Sequence, residues 1–445
     1  MKRLVLAALL AAAVPAVAQD YAAPAVPGLR DRVAAQDRLL RDRLDTVVPA
    51  MMRKHGVQMW ILVAREYNED PVVKAMLPAT WPNARRRMIL VFHDRGGAAG
   101  VERFAVARYP VGDLFDTRWD PATQPDQWQR LGDLVRERNP KSIAVNISED
   151  FGLADGLTVS QHKQLLAALG PLGTRVVSHD GLALGFLETR TPADMAVYGA
   201  IMRASHAMIP EGLSEKVIVP GVTTTQDVVW WYRERLADAR LDAWCQPSVT
   251  LQRPSVAHLD PGKQTLPEDP VIMPGDLLHV DFCAGFLGLK TDTQMLAYVL
   301  KPGETAAPAG LVAGMADANR VQDAVLAEFR TGRTGNEVLA AARKRAIAAG
   351  LKPIIYTHAI GTHGHGAGPW IGAWEDQSGV KGMGLYPVNP DTAWSIELAA
   401  LRKVPEWGGQ EVRFPLEVDG FYDGTKFRWI DGRQTKLLLV PRGER

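Results

Sequence analysis

Asp281 and Asp292 stand eleven residues apart in HVDFCAGFLGLKTDTQ, residues 279–294. The β-prone runs on either side of the Gly-bounded AGFLG segment predict a hairpin. With its turn centred between Phe286 and Leu287, the two carboxylates lie directly opposite each other on one face. Facing carboxylates repel, and a divalent cation between them turns that repulsion into attraction. Three further stretches offer matching groups. THGHGAGPWIG (362–372) carries His363 and His365, WSIELAA (394–400) places Glu397 in a short apolar strand, and PSVAHLDPG (254–262) puts His258 at a loop edge. Carboxylates with an imidazole suit an octahedral or five-coordinate divalent ion with oxygen-rich ligation.

Each of these residues also has an ordinary reading. The aspartates fit solvent-facing strand positions paired with Lys or Arg, and His365 alone fits a hydrogen-bonded loop histidine. Glu397 is harder to read that way, because burying an unpaired carboxylate is costly. His279 shares a strand face with Asp281 and reads first as a satisfied core histidine. His358 and His363 fit loop hydrogen bonding as well as chemistry. Trp370 and Trp374 suit either core filling or a pocket wall, and Arg413 suits either a bidentate carboxylate pair or a structural ion pair.

The elements that must position these groups fall into two sets. Helical stretches near 30–55 precede strand-like runs in QMWILVAR, RRMILVFHD, VERFAVARY, KSIAVNIS and TRVVSHD, with helical patterns between them. This alternation predicts an α/β domain over 19–186. Residues 190–445 read differently: a helix from Pro192 capped by Thr191, a second in VTTTQDVVWWYRERLADARL, a strand-rich stretch, two helices near 309–330 and 336–349, then strands. PGVTTTQDVVWWYRERLADARLDAW echoes TGRTGNEVLAAARKRAIAAGLKP in layout, which predicts two αβ halves about a pseudo-twofold axis with a site between them.

In type, order and spacing these motifs resemble those of the pita-bread metallopeptidases, the group of aminopeptidase P, prolidase, methionine aminopeptidase and the metal-free creatinase. Two aspartates eleven apart on a hairpin match Asp281 and Asp292. A His followed three residues later by Gly matches His365 and Gly368, and a Glu in a short apolar strand matches Glu397. The resemblance spans roughly 190–445 and implies an α+β pita-bread catalytic domain behind a creatinase-like α/β N-terminal domain. It implies metal ligation by Asp281, Asp292, His365 and Glu397, with Glu397 also moving a proton. His258 resembles the group's earlier active-site His, with His363 as a further catalytic candidate. The cofactor implied is one or two divalent ions, Mn, Co, Fe or Zn. The partner implied is a peptide cleaved in the manner of an Xaa-Pro aminopeptidase or dipeptidase, and two-domain relatives form homo-oligomers.

The chain departs from that pattern twice. The last ligand of the group is a Glu two residues after an Arg, and the position two after Arg413 is Pro415. Glu417 is the candidate replacement, on the same face of a regular strand and about 6.6 Å further along. Glu411 is the alternative. The group's substrate-handling His, seven residues after the ligand His, falls at Gly372. These departures predict one ion held firmly and a second weakly. They keep two alternatives in play: an exported peptide-binding protein with a degenerate site, and a hydrolase of another C–N bond.

Bulk properties bound the rest. The opening MKRLVLAALLAAAVPAVAQD, with Ala16-Val17-Ala18, reads as a secretory signal peptide over 1–18, cleaved after Ala18. The expectation is an exported periplasmic or extracellular protein, free of the membrane after cleavage. Losing Lys2 and Arg3 and no acid takes the net charge from +1 to near −1, which offers nothing to nucleic acid or an anionic membrane. Two cysteines, Cys245 and Cys283, exclude a disulfide scaffold and a cysteine-rich zinc site. Both sit in apolar strand-like runs, so two buried thiols are expected, although the compartment permits one disulfide.

Overall fold

A computed structural model describes residues 27–254, 256 and 268–441. The leader at 1–18 and His258 lie outside these described residues. The chain opens with α1 (Leu29–Lys54), followed by β1 (Met59–Arg65), α2 (Pro71–Ala75), β2 (Arg87–Asp94), β3 (Val101–Ala107), β4 (Asp116–Thr117), α3 (Gln127–Arg138), β5 (Ile143–Val145), α4 (Val159–Leu169), β6 (Val176–Ser178) and α5 (Asp180–Glu188). The six strands form one mixed sheet in the order β4-β3-β2-β1-β5-β6. MWILVAR is apolar up to its exposed last residue, Arg65, because both of its faces are covered. Trp60 and Leu62 pack with Leu44, Met52 and Phe186 from α1 and α5. Met59, Ile61 and Val63 pack on the other face with Leu131 of α3 and Leu165 of α4.

The second set comprises α6 (Pro192–Gly212), α7 (Thr225–Asp238), β7 (Ser248–Gln252), β8 (Leu277–Phe286), β9 (Leu289–Val299), α8 (Ala309–Leu326), α9 (Gly335–Ala348), β10 (Pro353–Ile355), β11 (His358–Ile360), β12 (Thr392–Ser395), β13 (Leu398–Val404), β14 (Gln410–Leu416), β15 (Asp419–Tyr422), β16 (Phe427–Trp429) and β17 (Leu438–Val440). The echo seen in the sequence takes physical form here. Thr224 with Asp227, and Thr334 with Glu337, each build a reciprocal capping box that starts a helix. The first half packs α6 and α7 over β7, β8 and β9 around Tyr198, Tyr232 and Phe282. The second packs α8 and α9 around Leu311, Val338 and Phe414. In that second half each long strand is divided between two sheets, β10-β13-β14 and β11-β12-β15-β16.

Two expectations change at the hairpin. Phe286 pairs with Leu289, so the loop is Leu287-Gly288, and both of these residues have positive φ, 51° and 82°. A two-residue loop of this kind matches the twist of the flanking strands. The turn therefore sits later than its predicted centre: Asp281 pairs with Gln294, and Asp292 pairs with Cys283. The displacement is even, so both aspartates keep a common face and become diagonal neighbours. The cysteines are not two thiols. Cys245 and Cys283 form a disulfide, with their Cα atoms 5.7 Å apart.

Candidate metal centre

The candidate ligands come from places where strands pair closely or change sheets. Asp281 and Asp292 stand on β8 and β9. Glu397 follows β12 and Glu417 follows β14, in the short links where both strands pass from one sheet to the other. Ser395 pairs with Asp419 on one side of the crossing and Leu398 with Leu416 on the other, which sets Glu397 opposite Glu417. Gln294 exchanges backbone hydrogen bonds with Glu417 and so joins the two halves. Pro415 is accommodated without a bulge: it pairs with Ala399, and β14 continues to Leu416.

His358, on β11 beside Ser395, is the imidazole among these acids. Its Nε2 lies 3.5 Å from Glu417, 3.8 Å from Glu397 and 4.0 Å from Asp292. Its Nδ1 is 2.9 Å from the Ala359 carbonyl. A carbonyl only accepts, so Nδ1 carries a proton, and Nε2 is the ring nitrogen that faces the carboxylates. His365 stands edge-on to His358, ring centroids 5.0 Å apart, and also belongs to a group with Asp292. Ser395 donates to Glu417, and Gln294 donates to one oxygen of Glu397. The other end of the Gln294 amide meets His279 Nε2 at 2.8 Å, and His279 Nδ1 meets Thr250 at 3.2 Å. His279 is thus satisfied and steadies Glu397 through Gln294.

The electrostatics are those of crowded acids. Burial first, and then Glu417, push the Asp281 carboxyl up to about 7. The same causes raise Asp292 and Glu397 well above the usual carboxylate range. Asp419, wholly buried and accepting from the Asp292 amide, is raised by burial and then by Glu417. Asp281 Oδ1, His358 Nε2 and Glu417 Oε2 are buried with no hydrogen-bond partner among the described residues. Unfilled buried acceptors of this kind cost stability. Acceptors converging from three directions fit a cation, and groups drawn from this set lie within 4.8 Å of one another. A cavity of about 250 Å³ opens beside them, lined by His358, His365, Glu397, Trp370 and Trp374.

Other candidates lie elsewhere. His363 lines a different cavity with Arg190 and Lys290, and burial, then those two cations, lower its pKa to about 4. Glu411 pairs with Lys352 at 2.6 Å on the exposed part of β14. Arg413 donates to the Tyr356 hydroxyl. Gly372 has φ +84°, and a Cβ there would meet the Ile355 carbonyl at 2.2 Å, so no histidine fits. The sequence reading missed His358 as the central imidazole, together with Gln294, Ser395 and Asp419. A signal for His358 was present: it too is followed three residues later by a glycine, Gly361, and seven residues on from it stands His365.

Residues 195–414 match metallopeptidase family M24. The C-terminal domain belongs to this family. No curated protein sequence matches the chain. Among solved structures, the chain is similar to an X-Pro aminopeptidase from Thermotoga maritima MSB8, with a TM-score of 0.62 and 16% identity over 88% of this chain and 100% of the other. It is similar to the dipeptidase PepE from Mycobacterium ulcerans, with a TM-score of 0.59 and 20% identity over 92% and 99%. It is also similar to the N-terminal domain of a FACT complex subunit from Cicer arietinum, with a TM-score of 0.52 and 11% identity over 91% and 99%. At these identities the likeness carries the two-domain fold; the chemistry has to be argued from the site.

Proposed function

We propose that the protein is an exported, metal-dependent exopeptidase of the Xaa-Pro aminopeptidase or dipeptidase type. The observation that carries this reading is the convergence of unpaired Asp281 Oδ1, His358 Nε2 and Glu417 Oε2 with Asp292 and Glu397 beside an aromatic-walled cavity. Asp281, Asp292, Glu397, Glu417 and His358 would hold the metal. With all four carboxylates ionised by metal binding, two dications neutralise the set and one does not. This charge balance supports two ions per chain over one firm and one weak. Oxygen-rich ligation favours Mn, Co or Fe without excluding Zn. When bound, the metal supplies a water of lowered pKa and polarises the scissile carbonyl.

The chain's own residues do the rest. Gln294 fixes one oxygen of Glu397, which leaves the other to receive a proton from the attacking water and deliver it to the leaving amine. His365, in the cavity wall, donates to the developing oxyanion. Trp370 and Trp374 give the cavity an apolar side suited to a proline ring. Export is supported by the leader of the sequence and by a disulfide, which persists in oxidising compartments.

The test combines metal analysis of dialysed protein with assays on Ala-Pro and Xaa-Pro-Xaa peptides in Mn²⁺. Turnover is expected, with two retained equivalents. His358→Ala should lose metal, whereas His365→Ala should keep it and drop kcat by about 10²–10³-fold. Peptide binding without turnover would overturn the reading in favour of a binding protein.

A further inference from the structure

A second cavity, of about 300 Å³, lies where the first domain meets the tip of the β8–β9 hairpin. Four cations line it, Arg43, Lys74, Arg190 and Lys290, against one acid, Asp194. That acid is already engaged: its carboxylate takes Arg43 Nη1 at 2.7 Å and the Thr191 amide at 3.0 Å as the cap of α6. Lys74 is held at the rim by the Pro82 carbonyl and by Asn83. Arg190 is different. Its side chain is 0% exposed, yet among the described residues Nη1 makes no hydrogen bond, and the nearest carboxylate oxygen, on Asp194, is 4.0 Å away. His363 Nδ1, in the same lining, is also buried without a partner among the described residues. Lys290 makes no salt bridge among the described residues; the acid whose charge reaches it, Asp242, lies outside the lining.

A buried guanidinium with an empty N–H is costly unless something accepts from it. A guanidinium, an ammonium and an imidazole around one small space supply the charge-assisted donors that a tetrahedral oxyanion takes. We propose that this interdomain cavity is a binding site for a small oxyanion of the phosphate or sulfate type, held by Arg190, Lys290 and His363. The site also shares a loop with the metal centre. The Lys290 amide donates to the Gly361 carbonyl, and the Gly361 amide to the His363 carbonyl. Two residues further on, His365 lines the other cavity. An anion on His363 would therefore brace the segment that presents His365. The assignment does not rest on the peptidase reading.

The test is calorimetric titration of inorganic phosphate, and separately of sulfate, into the intact protein after chelator dialysis, so that no metal competes for the anion. One saturable equivalent is expected, with affinity falling as salt rises. Lys290→Met and His363→Leu should each weaken binding at least about tenfold, a loss of one charge-assisted donor. Arg190 is packed into the domain junction, so Arg190→Met serves only as a third variant, and thermal unfolding of all three establishes that they fold. No saturable binding to the parent protein, or unchanged affinity in both Lys290→Met and His363→Leu, would overturn the proposal.

Discussion

Four carboxylates and one imidazole share the space between β8, β9 and the two strand crossings, and the protonation of Asp281, Asp292 and Glu397 contributes to how the metal-free protein responds to pH. Asp281 is pushed up to about 7 from an unfolded value of about 3.9. Between those values the folded state holds a proton that the unfolded chain has released. Stability present below about pH 4 is therefore lost as pH rises through about 7. Asp292 and Glu397 shift in the same direction, and so does Glu188, to about 8 by burial. The melting midpoint of chelated protein should fall across this window relative to that of an Asp281→Asn variant, and Mn²⁺ should raise the parent's midpoint most at the upper end. A difference between the two proteins that grows in the parent's favour from about pH 4 to about pH 7 would contradict this account of the site. The acids were legible in the sequence because a hairpin fixes which side chains share a face. His358 was not, since three histidines, His358, His363 and His365, each stand three residues before a glycine, and spacing alone does not say which of them faces inward. His363 misled for the same reason, because alternation along an irregular Gly-rich loop does not report direction.

At the scale of elements, the helices and apolar strands were readable from capping residues and periodicity, and the capping boxes at Thr224 and Thr334 marked the repeated halves. What could not be read was that strands divide between sheets, because a crossing is decided by the partners a strand meets. Glu397 and Glu417 occupy those crossings, so the acids are set by the continuity of pairing between β12–β15 and β13–β14. Gly372 shows the same dependence in a loop. Its positive φ and its approach to the Ile355 carbonyl leave no room for a side chain. Gly372→Ala should destabilise the fold by about 1–3 kcal/mol, read from urea unfolding. An unchanged transition midpoint would mean that this loop yields readily and that the cavity wall beside it is soft.

At the scale of the whole molecule, the first domain is tied to the second by buried and half-buried polar contacts. Arg43 of α1 reaches Asp194 of α6, Lys54 reaches Asn389, and buried Glu188 accepts from Tyr386 and Asn389. The disulfide acts at longer range. It spans 38 residues of sequence and anchors the segment whose Trp244 packs against Gly364 and His365. Closing a loop of that length contributes about 4 kcal/mol in the chain-entropy account. A second consequence concerns which ion is chosen. Cys283 follows Asp281 by two residues on the same strand face, and its sulfur lies 3.8 Å from an Asp292 oxygen. As a free thiol it would offer a soft donor to a hard, oxygen-rich site. Bonding to Cys245 removes it from that competition. Cys245→Ser, which leaves Cys283 unpaired, should therefore shift metal preference toward zinc and cadmium and give a thiolate–cadmium absorption band that the parent lacks. Identical metal selectivity in the two proteins would limit the bond to a mechanical part. Otherwise, oxidative maturation of the chain is also the step that commits its centre to hard metals.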